Sequence, residues 1–348
     1  MIDFANVRGH YSINSDLICH RAFILNHVCW NMKNRKFVAT APIGEPAISI
    51  LECIAPLETA PTPDVDAIIG MRAGMIGLVC RGEGRANRQT IEACEDLQVI
   101  GRTGVGYDSV DVDAATERRI PVIIAPKNDF AVAEGALALL LSLIKLLPLA
   151  DRAVKNGNWQ WRYSRLSGDM TGKTLGLVGV GRIGRQLARL VKPFDVDVIA
   201  FDPYADVDAE DAVQVELDEL ISRSDFISLH TPLNDETQGM INADRLAQMK
   251  LGVILINTSR GAVVESLDVL ADALDSGQLS GVGLDVFPVE PPDTSHRIFR
   301  DPRCLCAPHQ VGTSELAMYR IYESMANDMV AVVKGEKPQH CVNPQVLT

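Results

Sequence analysis

The chain has 348 residues, of which 47% are hydrophobic and 22% charged, with a formal net charge of -12. These are globular proportions, with length for about two domains of roughly 150 residues each. The negative balance argues against nucleic acid or an anionic membrane surface as partner, and an anionic ligand would need a local cluster of Arg or Lys. The eight cysteines (19, 29, 53, 80, 94, 304, 306 and 341) form no C-x-x-C pair and no regular framework. Reduced thiols in a cytoplasmic protein are therefore expected.

Residues 1–35 show no periodicity and no continuous apolar core of a signal peptide. They read as an N-terminal extension, disordered or a gene-model artefact, because Met32 offers a second start. Cys19, His20, His27 and Cys29 match none of the usual zinc spacings, so no metal site is expected. A first strand enters at Phe37-Val38-Ala39-Thr40-Ala41. Strands are then predicted at Ala67-Ile68-Ile69, Ile76-Gly77-Leu78-Val79-Cys80, Leu97-Gln98-Val99-Ile100 and Val122-Ile123-Ile124, with helices over 89–95 and 112–118 between them. Such alternation implies a parallel sheet covered by helices. The apolar stretch 133–149 is interrupted by Glu134, Lys145 and Pro148, and is expected to be a buried helix rather than a membrane span.

Near mid-chain, Thr174-Leu175-Gly176-Leu177-Val178 reads as a strand, Gly179-Val180-Gly181-Arg182-Ile183-Gly184 as a tight turn, and 185–191 as a helix. A second apolar run then ends in Asp202, 18 residues after Gly184. That order gives G-x-G-x-x-G its dinucleotide meaning. Gly179 permits the turn, Gly181 admits a pyrophosphate, and Gly184 allows close helix packing. The helix N-terminus, with Arg182 and Ile183, offers unpaired N–H groups to the phosphates. Asp202 would accept ribose hydroxyls and repel a 2′-phosphate, so NAD is expected over NADP. Pro203 and Tyr204 follow it instead of an Arg.

Three further strand ends carry reactive groups: Asn257-Thr258-Ser259-Arg260-Gly261, then Asp285 and Glu290 in 283–292, then His309 in 305–312. Cys304 and Cys306 alternate with Leu305 in what reads as a buried strand, where packing accounts for them. A helix over about 314–334 is too small for a domain and is expected to return to the first one. The fold class is thus α/β, with two Rossmann-like or flavodoxin-like doubly wound parallel-sheet domains. The NAD-binding domain (133–312) is inserted into a substrate domain (36–132 plus 313–348).

These motifs, with Gly104-Val105-Gly106-Tyr107-Asp108, Val132-Ala133-Glu134, Gly172-Lys173-Thr174-Leu175-Gly176 and Leu229-His230-Thr231-Pro232-Leu233, resemble the D-isomer-specific 2-hydroxyacid dehydrogenases, especially the phosphoglycerate dehydrogenase branch. The resemblance runs from about residue 37 to 347. It implies NAD-dependent oxidoreduction of a small 2-hydroxy or 2-oxo acid, and a homodimer. It makes His309 the acid/base, Glu290 its partner and Arg260 the ligand of the substrate carboxylate. Histidine suits the proton transfer near neutral pH, and a carboxylate orients and stabilises its imidazolium. The resemblance puts Asp285 at the nicotinamide end with backbone contacts from Thr258 and Ser259, Thr231 and Pro232 on the adenosine side, and Val105, Thr237 and Gly312 among the cofactor contacts. His230 becomes scaffolding. Gly104 and Gly106 offer an anion-binding nest, while Arg81 and Arg102 would sit near the distal phosphate of a phosphoglycerate-type substrate.

Two departures stand out. The Asn-bearing loop, Pro126-Lys127-Asn128, lacks the usual preceding Gly, which puts the reach of Asn128 to substrate in question and brings Lys127 to the pocket. The chain also stops after Val342-Asn343-Pro344 and its last residues, so feedback control through a regulatory domain is not expected. 3-Phosphoglycerate is the first substrate reading, with hydroxypyruvate or glyoxylate next. Glu290 argues against formate dehydrogenases, which carry Gln there; phosphite dehydrogenases keep the triad and stay open. From another class, C-terminal-binding-protein corepressors use the fold as an NAD-sensing binding module, but place aromatic residues where Gly312-Thr313-Ser314 stands.

Overall fold

Apolar runs long enough to be buried on both faces dictate parallel sheets, and the chain builds two. The structure is a computed structural model that describes residues 35–205 and 211–347. The extension, with Cys19, His20, His27 and Cys29, lies outside the described residues but for Arg35. Five strands, β1 (Lys36–Ala39), β2 (Leu57–Thr59), β3 (Met75–Cys80), β4 (Val99–Arg102) and β5 (Val122–Ile123), form the first sheet in the order β2-β1-β3-β4-β5. Every residue of β3 is buried, as a central strand covered on both faces requires.

Seven strands form the second sheet: β6 (Thr174–Val178), β7 (Asp197–Phe201), β8 (Val213–Gln214), β9 (Phe226–Leu229), β10 (Val253–Asn257), β11 (Leu279–Leu284) and β12 (Cys304–Cys306). Their order is β12-β11-β10-β9-β6-β7-β8. Neighbouring strands are parallel in both sheets. The orders are those of flavodoxin-like and Rossmann doubly wound folds. Strand order reverses between β1 and β3 in the first sheet and between β6 and β9 in the second. Crevices outside the carboxyl ends of strands at such points are where ligands bind.

Helices α1 (Ala47–Glu52), α2 (Val65–Gly70), α3 (Arg88–Ala93) and α4 (Val112–Glu117) belong to the first alternation. The strand expected at 67–69 is therefore a helix turn. Three apolar residues are too few to set a period, and only Ile68 of α2 is buried. The chain crosses to the second sheet with α5 (Asp129–Ile144), whose Ala133, Ala136, Leu139, Leu140 and Leu143 share a core with Leu175, Leu177, Ile254 and Ile256. The single helix expected over 133–149 is two, since α6 (Leu147–Lys155) is bent from α5 by 60°. Leu146 takes a left-handed φ of 54° and Pro148 falls in the first turn of α6, where its missing N–H costs nothing. Among the described residues no single helix is long and apolar enough to cross a membrane.

After α7 (Arg182–Val191), α8 (Leu217–Arg223), α9 (Ala243–Gln248) and α10 (Leu267–Ser276), helix α11 (Glu315–Val333) returns to the first sheet. Its Ile321, Tyr322, Met325, Ala326 and Met329 pack with Phe37, Val79, Val99 and Ile123. The tail then lies along β5, where the Val342 N–H donates to the Val122 carbonyl at 2.8 Å. Asn343, 1% exposed, accepts from the Val122 N–H at 2.8 Å and donates to Thr116 Oγ1 and the Ile120 carbonyl at 3.0 Å each. One expectation about packing fails. β12 is an edge strand, Cys306 is exposed and Cys304 only partly buried, because no further strand covers the open side.

Candidate active site

The glycine turn joins β6 to α7 beside the point of strand reversal. Gly179 has φ 95°, and a Cβ there would lie 2.8 Å from the His230 carbonyl oxygen, so the turn closes against the end of β9. A Cβ on Gly184 would stand 2.3 Å from the carbonyl oxygen of Gly179, whereas one on Gly181 would meet nothing. The turn is thus packed on its inner side and open on its outer one. Gly181 precedes the first turn of α7, which begins with Arg182 and Ile183. Asp202, at the end of β7, accepts from the Val180 N–H at 2.9 Å, and from the Tyr204 and Ala205 N–H groups at 2.9 and 3.1 Å.

On the other side of the reversal the strand ends carry hydroxyls. The Oγ1 atoms of Thr231, after β9, and Thr258, after β10, are buried without a hydrogen-bond partner. Thr237 is engaged within its own loop. Its hydroxyl donates to the Pro232 carbonyl at 2.6 Å and accepts from the Asn234 N–H at 2.9 Å. It shapes the 232–237 loop from within. His230 bonds Ser228 Oγ through Nε2 at 2.9 Å, and burial pushes its pKa down to about 4. It is a neutral scaffold residue at physiological pH.

Three adjacent strands, β10, β11 and β12, deliver the charged groups. After β10, Asn257 fixes the loop: its Oδ1 accepts from the Ser259 N–H and Oγ at 3.0 and 2.9 Å, and its Nδ2 donates to the Arg260 carbonyl at 2.9 Å. The hydroxyl of Ser259 is thereby spent on Asn257. After β11, Asp285 is 2% exposed. Its carboxylate accepts from the Gln310 N–H at 2.8 Å and the Val311 N–H at 3.3 Å, and its carbonyl from the His309 N–H at 2.8 Å. Burial pushes its carboxyl above the ordinary range, against the lowering pull of those N–H groups. Asp285 therefore holds the loop that presents His309.

His309 itself takes a left-handed φ of 53°. Its Nδ1 lies 2.8 Å from Glu290 Oε2, while Glu290 Oε1 accepts from the Phe287 N–H at 3.0 Å. Burial raises the Glu290 carboxyl, but the His309 and Phe287 bonds and the Arg260 charge outweigh it, leaving the group below the usual carboxylate range. A charged partner on Nδ1 directs the other ring nitrogen, Nε2, outward.

Arg260 reaches across to the first sheet. Its Nε and Nη2 donate to Asp108 Oδ2 at 3.0 and 2.9 Å, and its Nη1 donates to the Ser259 carbonyl at 2.8 Å. A Cβ on Gly106 would lie 1.8 Å from Arg260 Nη2. Gly106 is therefore needed for the close pass of the guanidinium as well as for any nest with Gly104, which has φ 137°. Asp108 is a functional candidate that sequence reasoning quoted within its motif without assigning a task. A carboxylate two residues beyond a glycine turn facing a strand-end Arg is the signal. Val105, between the two glycines, is 38% exposed.

Arg102 ends β4, bonded through Nη1 to the Thr103 carbonyl and Oγ1 at 3.1 Å each, with its buried Nε lacking a partner. Burial, and after it the neighbouring Arg260 charge, pushes its pKa down. Arg81 follows β3, one strand over, since Cys80 pairs with Arg102 in register. Its guanidinium donates to the Pro42 carbonyl and lies 5.8 Å from the Tyr322 ring centroid. Asn128 precedes α5 and its Nδ2 is 3.5 Å from the Gly312 carbonyl. It joins the two chain crossings. Gly312 leaves room for that amide, since a Cβ there would come within 2.8 Å of Asn128 Nδ2. Among the described residues no group of three His, Cys, Asp or Glu is placed to hold a metal ion.

Residues 137–311 match the D-isomer specific 2-hydroxyacid dehydrogenase, NAD binding domain. The chain belongs to this family. It is 35% identical over 314 residues to D-3-phosphoglycerate dehydrogenase of Methanocaldococcus jannaschii, covering 88% of this chain and 59% of that protein. It is 34% identical over 329 residues to glyoxylate reductase of Thermofilum pendens, covering 91% of this chain and 96% of that one. A crystal structure of a Thermus thermophilus protein superposes with a TM-score of 0.83 at 32% identity, over 88% of this chain and 99% of that chain. The chain spans between half and three fifths of the length of the first curated phosphoglycerate dehydrogenases it matches.

Proposed function

We propose that the protein is an NAD-dependent D-2-hydroxyacid dehydrogenase that interconverts a small 2-hydroxy acid and its 2-oxo acid. The observation that carries the reading is the row of Arg260, Glu290-paired His309 and Asp285 on three neighbouring strand ends, with Arg260 reaching Asp108 beside the first sheet. A dinucleotide fits the turn: Gly181 is open outward, and the Thr231 and Thr258 hydroxyls are buried without partners. Gly179 to Gly184 would hold its pyrophosphate, Asp202 its adenosine ribose, Thr231 and Pro232 its adenosine side, and Thr258 and Gly312 the part toward the nicotinamide. When bound, the nicotinamide donates or accepts the hydride.

The rest is done by this chain. Asp108 and the Ser259 carbonyl occupy three of the five N–H donors of Arg260, leaving one on each terminal nitrogen for a substrate carboxylate. His309 Nε2 gives a proton to the carbonyl oxygen in reduction and takes it back in oxidation. Glu290 stabilises the imidazolium through Nδ1. Closure of the two sheets over the substrate would exclude water around the developing charge.

Replacing His309 or Arg260 by Ala is expected to lower kcat/KM by about 10²–10⁴-fold while NAD still binds. Near-normal turnover of either variant would reject the mechanism. In Glu290→Gln, reduction is expected to slow by a fall in kcat, because the proton on His309 loses its carboxylate partner.

NAD over NADP rests on Asp202, whose carboxylate would repel a 2′-phosphate. Asp202→Gly is expected to narrow the preference for NAD, read as the ratio of kcat/KM with the two cofactors. An unchanged ratio would refute this assignment.

3-Phosphoglycerate is the favoured substrate because Arg81 and Arg102 end adjacent strands, with Arg102 beside Arg260. A second reading, hydroxypyruvate or glyoxylate, is favoured by the fastening of Arg81 to Pro42 and Tyr322. In a panel of 2-oxo acids with and without a phosphate on C3, Arg102→Ala is expected to harm the phosphorylated member selectively. Equal loss on both would remove the phosphate assignment.

We also propose a homodimer. Leu147, Val154, Trp159, Tyr163 and Leu166 are all more than half exposed, an apolar cluster on a segment of twenty residues that fits a partner surface better than water. Light scattering at micromolar concentration is expected to give twice the chain mass, and a monomer there would exclude the dimer. Six free cysteines among the described residues accord with a cytoplasmic location.

A further inference from the structure

Two thiols outside this site lie within five residues of it. Cys304 and Cys306 project from the same side of β12, as residues two apart in a strand do, and their Sγ atoms are 3.5 Å apart. β12 is the outermost strand of its sheet and Cys306 is exposed. The chain runs from Cys306 through Ala307 and Pro308 directly to His309. That connection is pinned to β11 by the Ala307 and His309 N–H groups, which donate to the Leu284 and Asp285 carbonyls at 2.8 Å each.

We propose that Cys304 and Cys306 are a modification site for hydroperoxides, and that their closure to an intrastrand disulfide displaces His309 and lowers turnover. The exposed sulfur is the attacking one. The hydrogen bond the two thiols share holds Cys306 below the ordinary thiol range and, with help from burial, pushes Cys304 up. The Cys306 thiolate attacks one oxygen of hydrogen peroxide, the O–O bond breaks, and hydroxide leaves as water after taking the thiol proton. The product at Cys306 is a sulfenic acid. The Cys304 sulfur then attacks that sulfur, forming the S–S bond, and the sulfenic oxygen leaves as a second water with the Cys304 proton. Two thiols are oxidised by two electrons and one peroxide is reduced to two waters.

The geometry couples this bond to His309. A disulfide brings the sulfurs to about 2.0 Å and prefers Cα atoms less than about 6.8 Å apart. Two steps of an extended strand span about 6.7 Å, the upper end of that range. Closing the bond therefore shortens or twists β12, and the segment that moves is the one leading to His309. Its Glu290 contact and left-handed backbone both depend on where that segment lies. The loss of turnover rests on the proposed role of His309; the formation of the disulfide does not.

The test uses the purified full chain, reduced, exposed to graded hydrogen peroxide, quenched with catalase and alkylated. Peptide mass spectrometry reads the thiols, and nicotinamide oxidation with an accepted 2-oxo acid reads activity. The peptide holding both cysteines is expected to lose two hydrogens and escape alkylation, while kcat falls about tenfold or more and dithiothreitol restores both. Cys304→Ser is expected to stop at the sulfenic acid, trapped by dimedone at residue 306. Cys306→Ser, with normal activity before treatment, is expected to resist the peroxide dose that inactivates the native protein. Thiols that both remain alkylatable at that dose overturn the modification site. A complete disulfide with unchanged kcat overturns its coupling to His309.

Discussion

The two sheets meet at a charged contact, the guanidinium of Arg260 on the carboxylate of Asp108. Each partner comes from a loop after a parallel strand, one in each sheet, so the contact exists only if both sheets turn their carboxyl ends to the same crevice. Gly106 gives the guanidinium its path, and the Asn257 side chain shapes the loop from which it extends. The pair is half open to water, where an ion pair adds little to stability. Its value is directional. A flexible cation is held by one edge, and its other edge is presented to whatever anion enters.

The same economy governs the opposite wall. Asp285 is a buried carboxylate that spends its acceptors on the backbone of 310 and 311. Its job is to hold a left-handed residue, His309, in front of Glu290. Backbone N–H groups and carbonyls position the reactive side chains throughout. Parallel sheets make this possible because all strands end on one side, and each following loop starts from a rigid point.

Much of this was legible in the sequence, and the exceptions have physical causes. The glycine turn, the acid at Asp202 and the strand-end Arg260, Glu290 and His309 stand out because central strands are continuous apolar runs with punctuated ends. β2 escaped notice since Leu57-Glu58-Thr59 is a short edge strand with one apolar residue, and Ala67-Ile68-Ile69 invited a strand that is a helix turn. Local composition cannot separate these cases; which sheet edge the segment meets decides them. Side-chain engagement was hidden as well. In a string of letters Thr237 and Ser259 do not show that their hydroxyls bond within their own loops, nor Asp285 that its carboxylate bonds the 310–311 backbone, and Asp108 shows its partner only when residues 152 positions apart meet.

The return of the tail to β5 has a consequence for biosynthesis. Asn343 closes hydrogen bonds on Val122, Thr116 and Ile120, and α11 supplies one wall of the first core. On the ribosome, the strands of the first sheet emerge some two hundred residues before the pieces that cover them. The second sheet has all of its strands by residue 306. The unit made later thus finishes first, and the earliest strands wait with an apolar face uncovered until the last residues arrive.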